Sequence, residues 1–268
     1  VAMLLRISSA VIAVLLVMAA SPAEAHRPSF GISYNSPDRA FEIEDPDISM
    51  VLYQPVSCDS SQLWLTFEAL EGYDFFLQLG VPVIDRLADY RPAIALVAPG
   101  LPEPAEDLPF EVPEGLGVLV YTTDHIAEPT TYYEEFTQTS SWILVEDTVT
   151  LPASGTGYLV GWDPAGWTGK LWIAVGTLED FSGIGIEEFM EWDHQVKDFH
   201  EVGDLDHDDG HDDEHDHGEI VEQQCPLTGD DESGGCSTAA GSGSLAMLGL
   251  LVLAVISRRV RRFAATDR

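Results

Sequence analysis

Positive charge is what this sequence most lacks: 12 Lys and Arg stand against 46 Asp and Glu in 268 residues, a formal net charge of -34. Five of those twelve bases (Arg258, Arg259, Arg261, Arg262 and Arg268) crowd into the last eleven positions. A chain this acidic repels phosphates, so nucleic acid is not an expected partner. Cysteine is scarce too. Three cysteines without CxxC spacing are too few for a disulfide-built scaffold and do not make a structural zinc site. Enzyme signatures are missing or broken: there is no GxSxG elbow and no HExxH helix, and the pair Gly169-Lys170 is followed by Leu171, with Pro164 where a phosphate loop needs its first glycine. Asp124-His125 has no nucleophile beside it and reads as a surface pair, so no catalytic residue is nominated. No repeat of solenoid length is present.

Long apolar runs are confined to the two ends. Near the start, Arg6 is followed by an uncharged apolar run from Ala10 to Ala20 and then by Ala23-Glu24-Ala25, the pattern of a secretory signal peptide cleaved by signal peptidase. Eleven residues fall well short of the roughly 20 that span a bilayer. Residues 1–25 are therefore expected to be removed after Ala25, leaving His26 first. At the other end, 237–257 is uncharged, Gly-rich at first and then strongly apolar, and the arginine cluster of 258–268 follows it. That length suits one transmembrane helix with a cytoplasmic basic tail.

Between the ends, strand-sized apolar runs are cut by Gly, Pro and Asp. The candidates are 49–53, 63–70, 75–79, 93–98, 117–122, 142–151, 157–162 and 171–175. Leu63, Leu65 and Phe67 alternate with Trp64, Thr66 and Glu68, and Ile143, Val145, Thr148 and Leu151 punctuate a longer strand whose spacing suggests a bulge. Short strands separated by turns such as Asp163-Pro164-Ala165-Gly166, with no helical pattern between them, predict an antiparallel β-sandwich over 26–180. Residues 181–200 change period. Ile186, Phe189, Met190, Val196 and Phe199 predict an amphipathic helix from about Ile184 to Phe199, expected to pack on the sandwich rather than lie on a membrane, since its polar face is acidic. From 201 to 235 there are fourteen acids and no Lys or Arg, so 201–236 is expected to be an acidic, disordered linker.

Two resemblances accompany these readings. Cys236, the Gly/Ser/Ala-rich hinge, the apolar helix and the arginine cluster resemble the MYXO-CTERM type of C-terminal sorting tail found on myxobacterial surface proteins. That resemblance covers about 30 residues and implies a sorting protease acting near Cys236; the alternative is a permanent single-pass anchor. The stretch 151–176, LPASGTGYLVGWDPAGWTGKLWIAVG, is similar to the closing hairpin of the bacterial pre-peptidase C-terminal domain, a small secreted β-sandwich. This implies a non-catalytic accessory module. The Pro/Glu-rich insertion Pro99 to Gly115 departs from that family's compact unit.

One constellation carries metal chemistry. In Asp204 to Glu219, His207, His211, His215 and His217 lie among Asp206, Asp208, Asp212 and Asp216, a donor set suited to Zn²⁺ or Ni²⁺ and assembled by binding rather than preformed. Calcium fits less well, because Asp209 stands where an EF-hand loop needs Gly and His215 where it needs Glu. The alternative is a solvated acidic spacer. Among the aromatics, Trp162 and Trp172 read as core, whereas Trp167, in a turn between Gly166 and Thr168, is a candidate for stacking on a sugar. Cys58 and Cys225 are available to pair in an oxidising compartment. The sequence thus predicts an exported, surface-anchored, non-enzymatic protein with a metal-binding tether, or alternatively a module for carbohydrate or envelope polysaccharide.

Overall fold

A computed structural model describes residues 26–31, 33–202 and 223–225. The expected signal segment, the His/Asp tract with all eight of its candidate ligands, Cys236 and the C-terminal apolar stretch lie outside the described residues. No described helix is long and apolar enough to cross a membrane.

Eleven strands and one α-helix, besides the single-turn 3₁₀ helices Pro37–Arg39 and Asp85–Leu87, make up the described chain: β1 (Arg27–Phe30), β2 (Phe41–Ile43), β3 (Met50–Val56), β4 (Gln62–Ala69), β5 (Asp74–Pro82), β6 (Ala93–Pro99), β7 (Leu116–Tyr121), β8 (Thr130–Glu134), β9 (Thr139–Thr150), β10 (Gly155–Trp162), β11 (Gly169–Val175) and α1 (Ile186–Phe199). One sheet runs β1-β3-β11-β5-β9-β8 and the other β2-β4-β10-β6-β7. The eight strands expected from periodicity are all present. Three short ones, β1, β2 and β8, were not expected, having too few residues for alternation to register. Pairing is not wholly antiparallel: β1 joins β3, and β2 joins β4, in parallel at the sheet edges. The bulge expected in the long strand lies where Leu79 pairs with Val145 and Gly80 with Ile143, leaving Leu144 as the extra residue.

The two sheets face each other across a core that includes Leu52, Leu65, Phe67, Phe75, Leu79, Leu96, Leu159 and Ile173. Leu63, Leu65 and Phe67 point into it and Trp64 points away, as their alternation requires. Each large side chain so buried contributes roughly 1.5–3 kcal/mol.

Both outer faces are covered as well, which explains why β6 and β11 are apolar at successive positions rather than at alternate ones. On one side Trp64 and Trp162 lie under Phe110 of the Pro/Glu-rich insertion, with ring centroids 5.2 and 5.3 Å apart. The insertion is thus a lid on the sheet, tied down by Val118 N–H donating to the Pro102 carbonyl at 2.7 Å. On the other side, Val196 and Phe199 of α1 cover Val51, Tyr53, Trp172 and Ala174. Trp162 and Trp172 are therefore buried, but on the outer faces rather than between the sheets.

The helix packs on the sandwich with only part of its expected apolar face. Ile186 is 74% and Met190 68% exposed, because α1 meets the sheet through its C-terminal half. That end finishes in a Schellman motif: Val202 N–H donates to the Lys197 carbonyl and Glu201 N–H to that of Asp198. Glu201 occupies the left-handed region at φ 56°, a conformation usually left to glycine, while its carboxylate pairs with Arg86 and Lys170.

The stretch expected to run as one linker from 201 to 236 is interrupted. Cys225 forms a disulfide with Cys58, 167 positions earlier in the chain. Thr168 N–H donates to the Gln223 carbonyl at 3.0 Å, and Cys225 N–H to that of Gly166 at 2.8 Å. Spacing gave no means of choosing this pair; proximity in the fold decides it.

Candidate functional site

Trp167, the one aromatic singled out for ligand stacking, stands beside a cleft of about 740 Å³ at one end of the sandwich. Three connections build it: β5–β6 supplies Arg86, Tyr90 and Arg91, β7–β8 supplies Asp124, and β10–β11 supplies Asp163 and Trp167. Glu106 of the insertion adds a carboxylate at its edge.

The β10–β11 turn is shaped by its own sequence. Asp163 accepts at Oδ1 from Ala165 N–H and Trp167 N–H, both at 2.9 Å, and its carbonyl accepts from Gly166 N–H at 3.1 Å. Gly166 has φ 75°, the left-handed conformation that this position of the turn requires. Partial burial raises the Asp163 pKa above the ordinary carboxylate value, and the three backbone donors oppose that rise. Gln223–Cys225 braces the far side of the same turn, with Gln224 Nε2 donating to the Ala165 carbonyl at 3.0 Å. Trp167 is thereby held on a fixed backbone while 42% of its surface stays open.

Tyr90 forms the floor. Its ring lies over Gly169, where any Cβ would collide with it, so the phenol reaches from the inter-sheet core to the cleft. The residue is only 6% exposed, and its hydroxyl has no hydrogen-bond partner. Burial, with Asp163 nearby, raises its pKa well above the usual phenol value and keeps it a donor. Arg86 is similar. One arm of its guanidinium pairs with Glu201, while Nη1 is buried without a partner. Arg91 instead holds loops together, its Nε donating to the Ile126 carbonyl and its Nη1 to those of Ala88 and Tyr90.

Buried polar groups in folded proteins are nearly always paired, and these two donors beside one cleft are exceptions to that rule. Of these residues the sequence pointed only to Trp167. Tyr90 and Arg86 sit in an unremarkable connection, and Asp163 read as a turn former alone; no local pattern singles them out. His125, read as a surface residue, is exposed. Among the described residues no group of three or more His, Cys, Asp or Glu is arranged to hold a metal ion. No protein family matches this chain by its sequence, and no curated protein is detectably similar to it.

Proposed function

We propose that this chain is an exported, surface-anchored binding protein without catalytic activity, whose cleft takes a neutral polysaccharide of the cell envelope. The observation that carries this reading is the conjunction of an exposed indole with two buried, unpartnered donors, Tyr90 Oη and Arg86 Nη1. A pyranose ring offers an apolar face to stack on an indole and hydroxyls able to accept from both donors. Asp163 and Asp124 supply acceptors for the remaining hydroxyl protons. The charge of -34 argues against a polyanionic polymer. The Cys58–Cys225 disulfide supports export, since such bonds persist in oxidising compartments. The tail resemblance supports surface anchoring, with Cys236 as the processing residue.

Affinity electrophoresis in gels containing dextran, laminarin or xylan, with alginate as the anionic comparison, tests the reading on the full-length chain. A neutral polymer should retard the protein, and Trp167→Ala and Tyr90→Phe should each weaken retardation about tenfold. Retardation by none of the polymers, or retardation that both variants leave unchanged, rejects it.

A second reading has its own support. The His/Asp tract 203–222 is bordered by two fixed points, Val202 in the helix cap and Gln223 on Thr168. Holding both ends of a segment removes part of the loop-closure entropy that metal binding would otherwise have to overcome. This favours Zn²⁺ or Ni²⁺ binding by His207, His211, His215 and His217 over the same residues in an open tether.

A further inference from the structure

Sharing no described lining residue with the cleft, a second, smaller cavity of about 130 Å³ is enclosed by α1 and the β8–β9 hairpin. Its walls are aromatic. Phe136 comes from the hairpin turn, Phe181 from the segment before α1, and Phe189 and Trp192 from α1 itself, with Tyr53 of β3 beneath. The rings contact one another in tilted and edge-on arrangements: Phe136–Phe189 at 5.8 Å, Phe181–Phe189 at 5.6 Å and Phe189–Trp192 at 5.4 Å between centroids. Sandwich packing does not account for this cluster. The helix holds the sheet through Val196 and Phe199, while Phe136 remains 52% exposed.

Among the described residues that line it, Glu134 has the only side chain with a fixed charge. Its carboxylate is positioned by the hairpin turn, Oε1 accepting from Phe136 N–H at 2.9 Å and Oε2 from Thr137 Oγ1 at 3.2 Å. His26 also lines the cavity, and burial lowers its pKa to about 4, so it carries no charge near neutral pH. Two cationic side chains of the same elements are engaged elsewhere, Arg27 with Asp180 and Lys197 with Asp193.

Aromatic faces bear negative charge density, and a carboxylate among them sharpens the preference for a cation. An anion is repelled. A bare ammonium is strongly hydrated and gives up water reluctantly, whereas a methylated ammonium is weakly hydrated and presents an apolar surface to the rings. The volume is far below the roughly 300–1,000 Å³ of drug-sized sites, so a single headgroup is the appropriate size. From these observations we propose that the pocket formed by Phe136, Phe181, Phe189, Trp192 and Glu134 binds a quaternary methylammonium group, either of a free small cation or of a lipid headgroup.

Calorimetric titration of the full-length chain in maltoside micelles tests this with choline, and with 3,3-dimethylbutan-1-ol as its uncharged isostere. Choline should bind saturably in the millimolar range and about tenfold more tightly than the isostere. Glu134→Gln, which keeps the side chain's shape, should weaken choline about fivefold, and Phe189→Leu should weaken it further. Circular dichroism of each variant verifies that the sandwich is intact. Doping the micelles with phosphatidylcholine separates the two sources: competition with choline assigns the lipid headgroup, its absence assigns the free cation, and either supports the site. Equal binding of choline and the isostere would mean a merely apolar hole and overturn the proposal. So would no detectable choline binding, or choline binding that Glu134→Gln leaves unchanged.

Discussion

The Lys170 ammonium lies 2.8 Å from the Glu201 carboxylate and donates to the Phe199 carbonyl at 2.7 Å, so a single buried side chain of β11 fastens the C-terminal end of α1. Lys170 is 6% exposed and also stands 5.2 Å from the centroid of the Phe199 ring. The same carboxylate reaches Arg86 at the cleft. The helix cap and the candidate binding site are thus linked through the Glu201–Arg86 pair.

Lys170→Met should detach the helix terminus while keeping side-chain volume. The Phe199 carbonyl loses its donor, and Glu201 keeps only Arg86 to offset its left-handed backbone. We expect a loss of about 2–3 kcal/mol in urea unfolding, and early amide exchange confined to α1. A stability unchanged within about 0.5 kcal/mol would show that the helix is held by its apolar contacts alone.

Acid should act through His200. This ring is 5% exposed, with Nδ1 2.8 Å from the Val196 carbonyl and Nε2 3.0 Å from Ser141 Oγ. A carbonyl only accepts, so Nδ1 carries the proton and Nε2 accepts from Ser141, which itself accepts from Trp172 Nε1 at 3.0 Å. Burial lowers the His200 pKa to about 4, opposed by the Val196 carbonyl and assisted by the charge of Lys170. An unfolded histidine titrates near 6.5, so below that pH the unfolded chain binds the proton first. The stability contributed by neutral His200 is complete above pH 6.5 or so and is lost between about 6.5 and 4, by an amount on the order of 3 kcal/mol. Urea midpoints of the wild type and His200→Gln, compared at pH 7 and 4.5, should converge as the pH falls. Parallel profiles would exclude His200 as the source.

Gly80 faces Trp172 across the β5–β11 pairing, and a Cβ there would fall within the indole ring. Strand conformation suits alanine better than glycine, so local propensity predicts a gain from Gly80→Ala. Tertiary contact predicts the opposite. We expect the contact to dominate, with a loss of about 1–3 kcal/mol from displacing Trp172, read from the thermal midpoint. The displaced indole should also lose its hydrogen bond to Ser141, shifting its fluorescence.

The disulfide and the His/Asp tract make a linked prediction. Non-reducing peptide mapping should recover Cys58 joined to Cys225, with Cys236 outside the pair. If holding both ends of the tract aids metal binding, Cys58→Ser should weaken Zn²⁺ binding severalfold, whereas replacing His207, His211, His215 and His217 by Ala should abolish it. Zn²⁺ binding insensitive to the four histidines removes the metal reading.

What the sequence determined by itself was whatever depends on neighbours along the chain. Alternation in Leu63–Phe67, the turn at Asp163–Gly166 and the change of period after Phe181 identify strands, reversal and helix, because each reports a local geometry with its own repeat. The edge strands escaped notice, since three to five residues hold too few repeats to be counted. What only the tertiary structure decided depends on residues distant in sequence coming together. It covers both outer faces and so explains continuous burial in β11, leaves Ile186 and Met190 exposed where helical periodicity alone would bury them, and joins Cys58 to Cys225. It also brings Arg86, Tyr90, Asp163 and Trp167 to one cleft from separate connections. No local pattern encodes such an encounter, because what makes a hydroxyl or a guanidinium nitrogen unpaired is the set of partners that the folded chain places, or fails to place, within its reach.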